Sequence, residues 1–182
     1  MPPQDASSSP MTEAESLERA VRAEEHAYSP DEPRPLRGYA AVIAAYGGLV
    51  GAIGIATRLT RGGVTTRFGP WDVALLSVAT QRLSRTLTKD AVASPLRAPF
   101  TRYRGPSAPA ELHEDVRGEG LRHAVGELVT CPFCLSQWVA TGLTAGYLLA
   151  PGPTRAVTAT LTAVAMSDFL QYAYVKAQQT EG

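Results

Sequence analysis

Apolar residues gather in four stretches of this chain, separated by segments rich in charge, proline and glycine. The first stretch, GYAAVIAAYGGLVGAIGIAT at 38–57, runs 20 residues without a charge. At about 1.5 Å of rise per residue it is long enough to cross a bilayer core of about 30 Å. Arg37 and Arg58 bracket it, as charged residues commonly flank a span. The pattern predicts a transmembrane helix; the alternative is a buried helix of a soluble protein.

The second stretch predicts a shorter helix at about 71–88. Its apolar positions recur at helical spacing: Leu75, Leu76, Ala79, Leu83 and Leu87. The segment from Trp71 to Ala79 is apolar apart from Asp72 and Ser77, but Arg82 and Arg85 arrive after only about 12 residues, which is short for a full crossing. This helix therefore either spans at a slant or lies partly in the interface, with its arginines reaching the headgroups.

Two apolar stretches close the chain and predict an antiparallel helical hairpin. They are LSQWVATGLTAGYLLA at 135–150 and AVTATLTAVAMSDFLQYAYV at 156–175. The PGPTR segment between them breaks the helix and forms a tight turn. Each stretch is interpreted as one membrane span.

These patterns predict an all-α integral membrane bundle with three or four transmembrane helices. Residues 1–35 are expected to form a disordered or amphipathic acidic tail, in which Thr12 and Glu15 fit a capping box that starts a short helix. Residues 36–176 form the membrane domain, with a polar connection at about 90–130. Residues 177–182 form a short C-terminal tail.

The distribution of charge predicts which side of the membrane each part faces. Zero net charge hides an acidic tail and a basic remainder. Whether or not the second helix crosses, Lys and Arg residues near the spans number 12 on one side and four on the other. The positive-inside rule then places the polar connection, the cysteines and the C-terminus in the cytoplasm. Arginines are scattered and not interleaved with aromatics, so nucleic acid is not an expected partner.

The two cysteines of the chain, Cys131 and Cys134, stand two residues apart at the start of the third apolar stretch. This spacing suits thiol exchange, because a helix N-terminus favours the thiolate of the first cysteine. It also suits a zinc site, which His113 and His123 of the polar connection could complete. The third interpretation is structural, with Pro132 setting the first turn of a helix. We expect no bound cofactor, with zinc as the alternative.

Asp168 lies eight residues before Lys176 in the last apolar stretch. An ionisable group at that depth predicts either a functional site or a carboxyl paired with Tyr172 or with an arginine of the second helix. Glycine pairs at four-residue spacing in the first and third stretches favour close helix packing, within one chain or between copies. The expected partners are thus the lipid bilayer, a second copy or other membrane proteins.

Two blocks of the sequence, 72–100 and 126–143, resemble an uncharacterised family of small bacterial membrane proteins, some of them labelled sporulation-associated. The resemblance covers roughly residues 70–175. The matching positions are Asp72, Arg82, Arg85, Asp90, Pro95, Arg97, Phe100, Glu127, Cys131, Pro132, Cys134 and Trp138. Ser136 departs from the glycine expected in many relatives. The resemblance implies an integral membrane protein and no particular activity.

The function predicted from sequence is therefore a non-enzymatic, multi-pass membrane component that contacts partners. The first alternative is a membrane-tethered thiol-redox or zinc module at the cysteine turn. The second alternative is a small transporter subunit. No nucleophile and base pair, paired carboxylates or phosphate-binding loop stands out in the sequence, so no reaction is assigned.

Overall fold

The structure is a computed structural model that describes residues 12–32, 34–63, 67–108 and 111–180. These residues form a mostly helical chain with one antiparallel two-stranded sheet. The helices are α1 (Glu13–Tyr28), α2 (Leu36–Arg61), α3 (Pro70–Lys89), α4 (Ser94–Arg97), α5 (Gly120–Thr130), α6 (Pro132–Leu149) and α7 (Pro151–Thr180). The strands are β1 (Thr101–Ala108) and β2 (Glu111–Val116). A short 3-10 turn, Ala91–Ala93, joins α3 to α4.

Helix α1 begins as the sequence predicts. The Thr12 side chain accepts a hydrogen bond from the backbone N–H of Glu15, whose carboxylate accepts one from the N–H of Thr12. This reciprocal capping box satisfies two donors that would otherwise lack helical partners. Residues 1–11 of the predicted acidic tail lie outside the described residues.

Helices α3, α6 and α7 pack into a three-helix bundle. Its fully buried centre is Ala79 of α3 with Val139 and Leu143 of α6. Leucines of all three helices surround that centre: Leu76, Leu83, Leu87, Leu135 and Leu161. The leucine register predicted for the second helix thus faces the core, and the Pro151 turn brings α7 back against α6 as expected.

Helix α2 touches this bundle near its N-terminal half. Gly38 lies so close to α5 that an added Cβ would come 2.7 Å from the carbonyl oxygen of Gly120. Further along α2, the ring of Tyr46 meets that of Trp138 edge-on, with centroids 5.3 Å apart. After these contacts Leu49, Val50, Ile55 and Leu59 are exposed, and only 6 % of the most apolar window of α2 is buried.

The polar connection at 90–130 is not the purely helical region that the all-α prediction requires. It contains the β1–β2 hairpin, in which Thr101 pairs with Val116 and Ala108 with Glu111, with two register shifts between. Helix α5 follows and meets α6 at an angle of 83°. The connection is therefore a folded layer at one end of the bundle. Likewise, residues 177–180 of the predicted C-terminal tail continue α7.

Length and composition mark fewer spans than the sequence interpretation did. Within the described residues, the segment Leu36–Thr60 qualifies as a membrane span, and the bent pair α5 and α6 qualifies if it is one span. Helix α7 is longer but does not qualify. Its threonines, together with Asp168 and Gln171, make it less apolar than its length suggests.

Candidate functional site

The charged residues singled out in the sequence lie mainly at one end of the bundle, where α3 ends and the hairpin packs on it. We call this end, with the hairpin and α5, the polar layer. The α6–α7 turn lies at the opposite end, where the ring of Phe68, just before α3, meets that of Tyr147, with centroids 5.9 Å apart. The candidate site is therefore the polar layer together with its links to the helices.

Arg97 is the central residue of the polar layer and is 1 % exposed. Its Nε donates to the carboxylate of Glu114 on β2. Its Nη1 donates to the carbonyl oxygens of Leu87, at 2.9 Å, and Asp90, at 3.1 Å. One guanidinium thus satisfies the last turn of α3 and holds the hairpin against it, since carbonyls at a helix C-terminus have no helical donor.

Arg82 joins α3 to the middle of α7. Its guanidinium lies 3.4 Å from a carboxylate oxygen of Asp90 and 3.2 Å from one of Asp168. The expected pairing of Asp168 with an arginine of the second helix is therefore confirmed, with Arg82 as the partner. One turn later, Arg85 pairs with Glu111 at the start of β2.

Glu127 on α5 has two partners from a distant part of the chain and one from its own helix. Arg34 donates to it at 2.8 Å and the Tyr39 hydroxyl donates at 2.6 Å, while His123 Nε2 lies 3.4 Å away. The hydrogen bond with Tyr39, followed by the charges of Glu32 and Glu127, raises the pKa of Arg34. This contact fixes the start of α2 on α5.

Two further matching residues have local structural partners. Asp72 caps α3 by accepting from the N–H of Gly69 at 3.0 Å, and it lies 3.6 Å from Arg155 at the opposite end of the bundle. Trp138 packs on Tyr46, whose hydroxyl accepts a hydrogen bond from Gln137 at 2.6 Å. The first contact holds α7 against α3, and the second holds α2 against α6.

The cysteines and the histidines are not brought together. Cys131 and Cys134 are bonded to each other in a disulfide, so both sulfurs are occupied. His113 lies beside Asp115 on the hairpin at 3.6 Å, and His123 lies beside Glu127. Among the described residues no group of three or more His, Cys, Asp or Glu side chains is placed to hold a metal ion. The donor set proposed for zinc is thus not assembled in this disulfide-bonded form.

The sequence did not reveal the partners of Arg85, Arg97 and Glu127. Glu111 and Glu114 stand in a segment without an apolar alternation, and Arg34 and Tyr39 lie about 90 residues from Glu127. Three acidic residues within 111–115 were the available signal. In the described residues, no fully buried side-chain nitrogen or oxygen lacks a hydrogen-bond partner. The polar layer is therefore a self-satisfied network of ion pairs.

Replacing Asp168 by Asn tests whether that carboxylate does more than pair with Arg82. We expect a small loss of stability, about 1 kcal/mol or less, because Asp168 is half exposed and Arg82 keeps Asp90. Thermal melting of the full-length protein in detergent measures the loss. Asp90→Asn is the matched control and should cost more, since its side chain is only 16 % exposed. A loss above about 3 kcal/mol for Asp168→Asn would contradict the expectation.

Comparisons with known proteins agree with the resemblance seen in the sequence. A family profile described as "Protein of unknown function (DUF1360)" matches residues 75–174. The chain is also similar to "Sporulation protein YjcA" of Bacillus subtilis (strain 168), at 34 % identity over 71 residues, or 37 % of this chain. The chain spans 60 % of the length of that curated relative. No solved structure matches.

Proposed function

The chain belongs to the DUF1360 family of proteins of unknown function, and from its own structure we propose that it is a non-enzymatic, multi-pass integral membrane protein. In this proposal α2, α3, α6 and α7 cross the bilayer, and the polar layer lies at the cytoplasmic surface and contacts partner proteins. Each part of the proposal is supported by a different observation.

The observation that carries the membrane assignment is the exposed apolar surface of α2. Ile43, Ile55 and Leu59 are 70 %, 63 % and 80 % exposed, in a helix of 26 residues. Such a surface is unfavourable in water, at roughly 25 cal/mol per Å² of apolar area. Lipid removes that cost, and at about 39 Å the helix is long enough to span.

The alternating direction of the helices supports four crossings over three. Helix α2 starts beside α5 and ends near Phe68, whose ring contacts Tyr147 near the end of α6. Asp72 at the start of α3 faces Arg155 at the start of α7, and Arg82 later in α3 faces Asp168 later in α7. Neighbours along the chain thus run in opposite directions, and Phe68 before α3 lies at the same end as the turn at 150.

The charges support a cytoplasmic polar layer. The four-span arrangement leaves four cations at the end that bears the two short connections: Arg58, Arg61, Arg67 and Arg155. It leaves 12 at the other end: Arg22, Arg34, Arg37, Arg82, Arg85, Lys89, Arg97, Arg102, Arg104, Arg117, Arg122 and Lys176. This excess favours the cytoplasmic side for that end. Arg82 and Arg85 then lie near the headgroups, which explains how α3 can carry them.

The role as an interaction component is supported by how the polar residues are used. Arg82, Arg85 and Arg97 are each engaged with carboxylates of the chain itself. This pairing fixes the shape of the polar layer. It also engages the three arginines within the chain and not with a substrate. The transporter alternative has no comparable support, because its one candidate residue, Asp168, is paired with Arg82 at the end of the bundle.

Membrane fractionation and thiol labelling test the proposal on the full-length protein. We expect it to stay in membranes washed with sodium carbonate and to leave them only with detergent. With both native cysteines replaced by Ser, an impermeant maleimide should label Gly152→Cys in intact cells and Ser107→Cys only after lysis. Both positions are exposed and lie at opposite ends. Release by carbonate would sink the membrane assignment, and the reverse labelling would sink the orientation.

Partners are then identified by cross-linking in cells and purification from solubilised membranes. An Arg102→Glu/Arg104→Glu variant alters the exposed strand β1 and should lose partners of the polar layer. Arg155→Glu, at the opposite end, is the matched control and should keep them. A chain that captures the same proteins in all three forms would contradict a contact through the hairpin.

A further inference from the structure

The disulfide between Cys131 and Cys134 has no part in the function proposed above. These are the two cysteines of the chain, and they lie where α5 ends and α6 begins. The chain turns by 83° at this point. A bond at such a junction is either a structural clamp or a chemical group, and three observations distinguish these roles.

The first observation is how little the bond constrains. It closes a ring between residues separated by three positions. Stabilisation by a disulfide grows with the length of the loop that it closes, so this ring is near the lower limit. The start of α6 is also set without the bond, because Pro132 occupies the first helical position. A structural clamp is therefore the weaker explanation.

The second observation is the polarity around Cys131. Its Sγ accepts a hydrogen bond from the backbone N–H of Cys134 at 3.2 Å, so Cys131 is the N-cap of the 18-residue α6. The same N–H group and the helix dipole favour negative charge at that sulfur. Cys131 is thus the better leaving thiolate of the pair when the bond opens.

The third observation is access. Cys134 is exposed whereas Cys131 is partly buried, and Phe133 between them is 89 % exposed. An incoming thiolate can therefore reach the Cys134 sulfur, and the Phe133 ring offers an apolar contact beside it. Cys134 is the more exposed sulfur, and attack on it releases Cys131, the more stable thiolate. Both properties therefore favour attack at Cys134.

We propose that Cys131–Cys134 is an exchange-active disulfide that accepts electrons from a protein dithiol of the thioredoxin class. A thiolate of the donor attacks Cys134 Sγ, forming a mixed disulfide and breaking the Cys131–Cys134 bond. Cys131 leaves as a thiolate held at the start of α6. The second thiolate of the donor then attacks the donor sulfur of the mixed disulfide and releases Cys134. The donor dithiol is oxidised to a disulfide, and two electrons and two protons reach the cysteine pair.

The test uses the full-length protein in detergent, so it does not depend on the membrane orientation. Thioredoxin kept reduced by its reductase and NADPH is the donor, and a maleimide-polyethylene glycol shift on a gel counts free thiols. We expect complete reduction without denaturant, reoxidation by oxidised glutathione, and unchanged gel-filtration elution throughout. Reduction that requires denaturant, or that disperses the protein, would overturn the proposal.

Two variants of the test locate the attack and exclude a structural role. A thioredoxin lacking its second active-site cysteine should be trapped as a mixed disulfide on Cys134, as peptide mass spectrometry will show. Trapping on Cys131 would overturn the assigned direction of attack. The Cys131→Ser/Cys134→Ser variant should elute and melt like the parent. Loss of the folded protein in that variant would identify the bond as a structural clamp.

Discussion

Arg97→Met is expected to lower the stability of the protein by about 3–5 kcal/mol, because it leaves a buried carboxylate without its cation. Glu114 is 6 % exposed and pairs with Arg97, and the carbonyl oxygens of Leu87 and Asp90 lose their donor as well. Methionine keeps apolar volume, so the loss reports charge and hydrogen bonding. For a chain of this size the melting temperature should fall by about 6–20 °C. Thermal melting followed by size-exclusion chromatography in detergent measures it.

Two controls separate the buried pair from arginine pairs in general. Arg104→Met removes an exposed pair with Asp115 and should cost no more than about 1 kcal/mol. Combining Arg97→Met with Glu114→Met removes both charges, and the double variant should be more stable than Arg97→Met alone. An additive loss in the double variant would show that the two side chains do not depend on each other.

Val50→Arg is expected to hinder insertion of α2, costing about 2.5–3.5 kcal/mol for a cation near the middle of a span. Val50 lies near the centre of the Leu36–Thr60 segment and is 44 % exposed. Were this surface in water, the same change would be close to neutral or would improve solubility. The measurement is the fraction of full-length protein that resists carbonate extraction.

The position of the arginine supplies the control for this experiment. Leu59→Arg places the same side chain near the end of α2, at a residue that is 80 % exposed. There it can reach the headgroups, so insertion should be nearly unchanged. Equal amounts of inserted protein for Val50→Arg and Leu59→Arg would contradict a lipid environment for α2.

Local signals predicted the helices well because helix formation is decided within a few turns. The uncharged run at 38–57 lies inside α2, and the leucine spacing of the second stretch matches the buried side of α3. The proline turn at 151 also ends α6 as predicted. The hairpin was missed because 101–116 has charged residues, Pro106 and Gly105 where a strand usually alternates. It is held by Arg97 and by cross-strand pairs, which are set by the fold.

The candidate site divides in the same way. The pairing of Arg82 with Asp168 could be anticipated, because an ionisable group in an apolar helix needs a polar partner on a neighbouring helix. The contacts of Glu127 with Arg34 and Tyr39 could not, since they span about 90 residues and depend on where α5 lies. The spacing of Cys131 and Cys134 was compatible with three chemistries. The exposure of Cys134 and the N-cap position of Cys131, which support the proposed thiol exchange, became visible only in the structure.

Helix α5 lies across the end of the bundle, tied to the start of α2 through Glu127 and continuous with α6 through an 83° bend. It therefore links the start of α2 to the start of α6. A displacement of α5 relative to the bundle would therefore move the starts of both helices together.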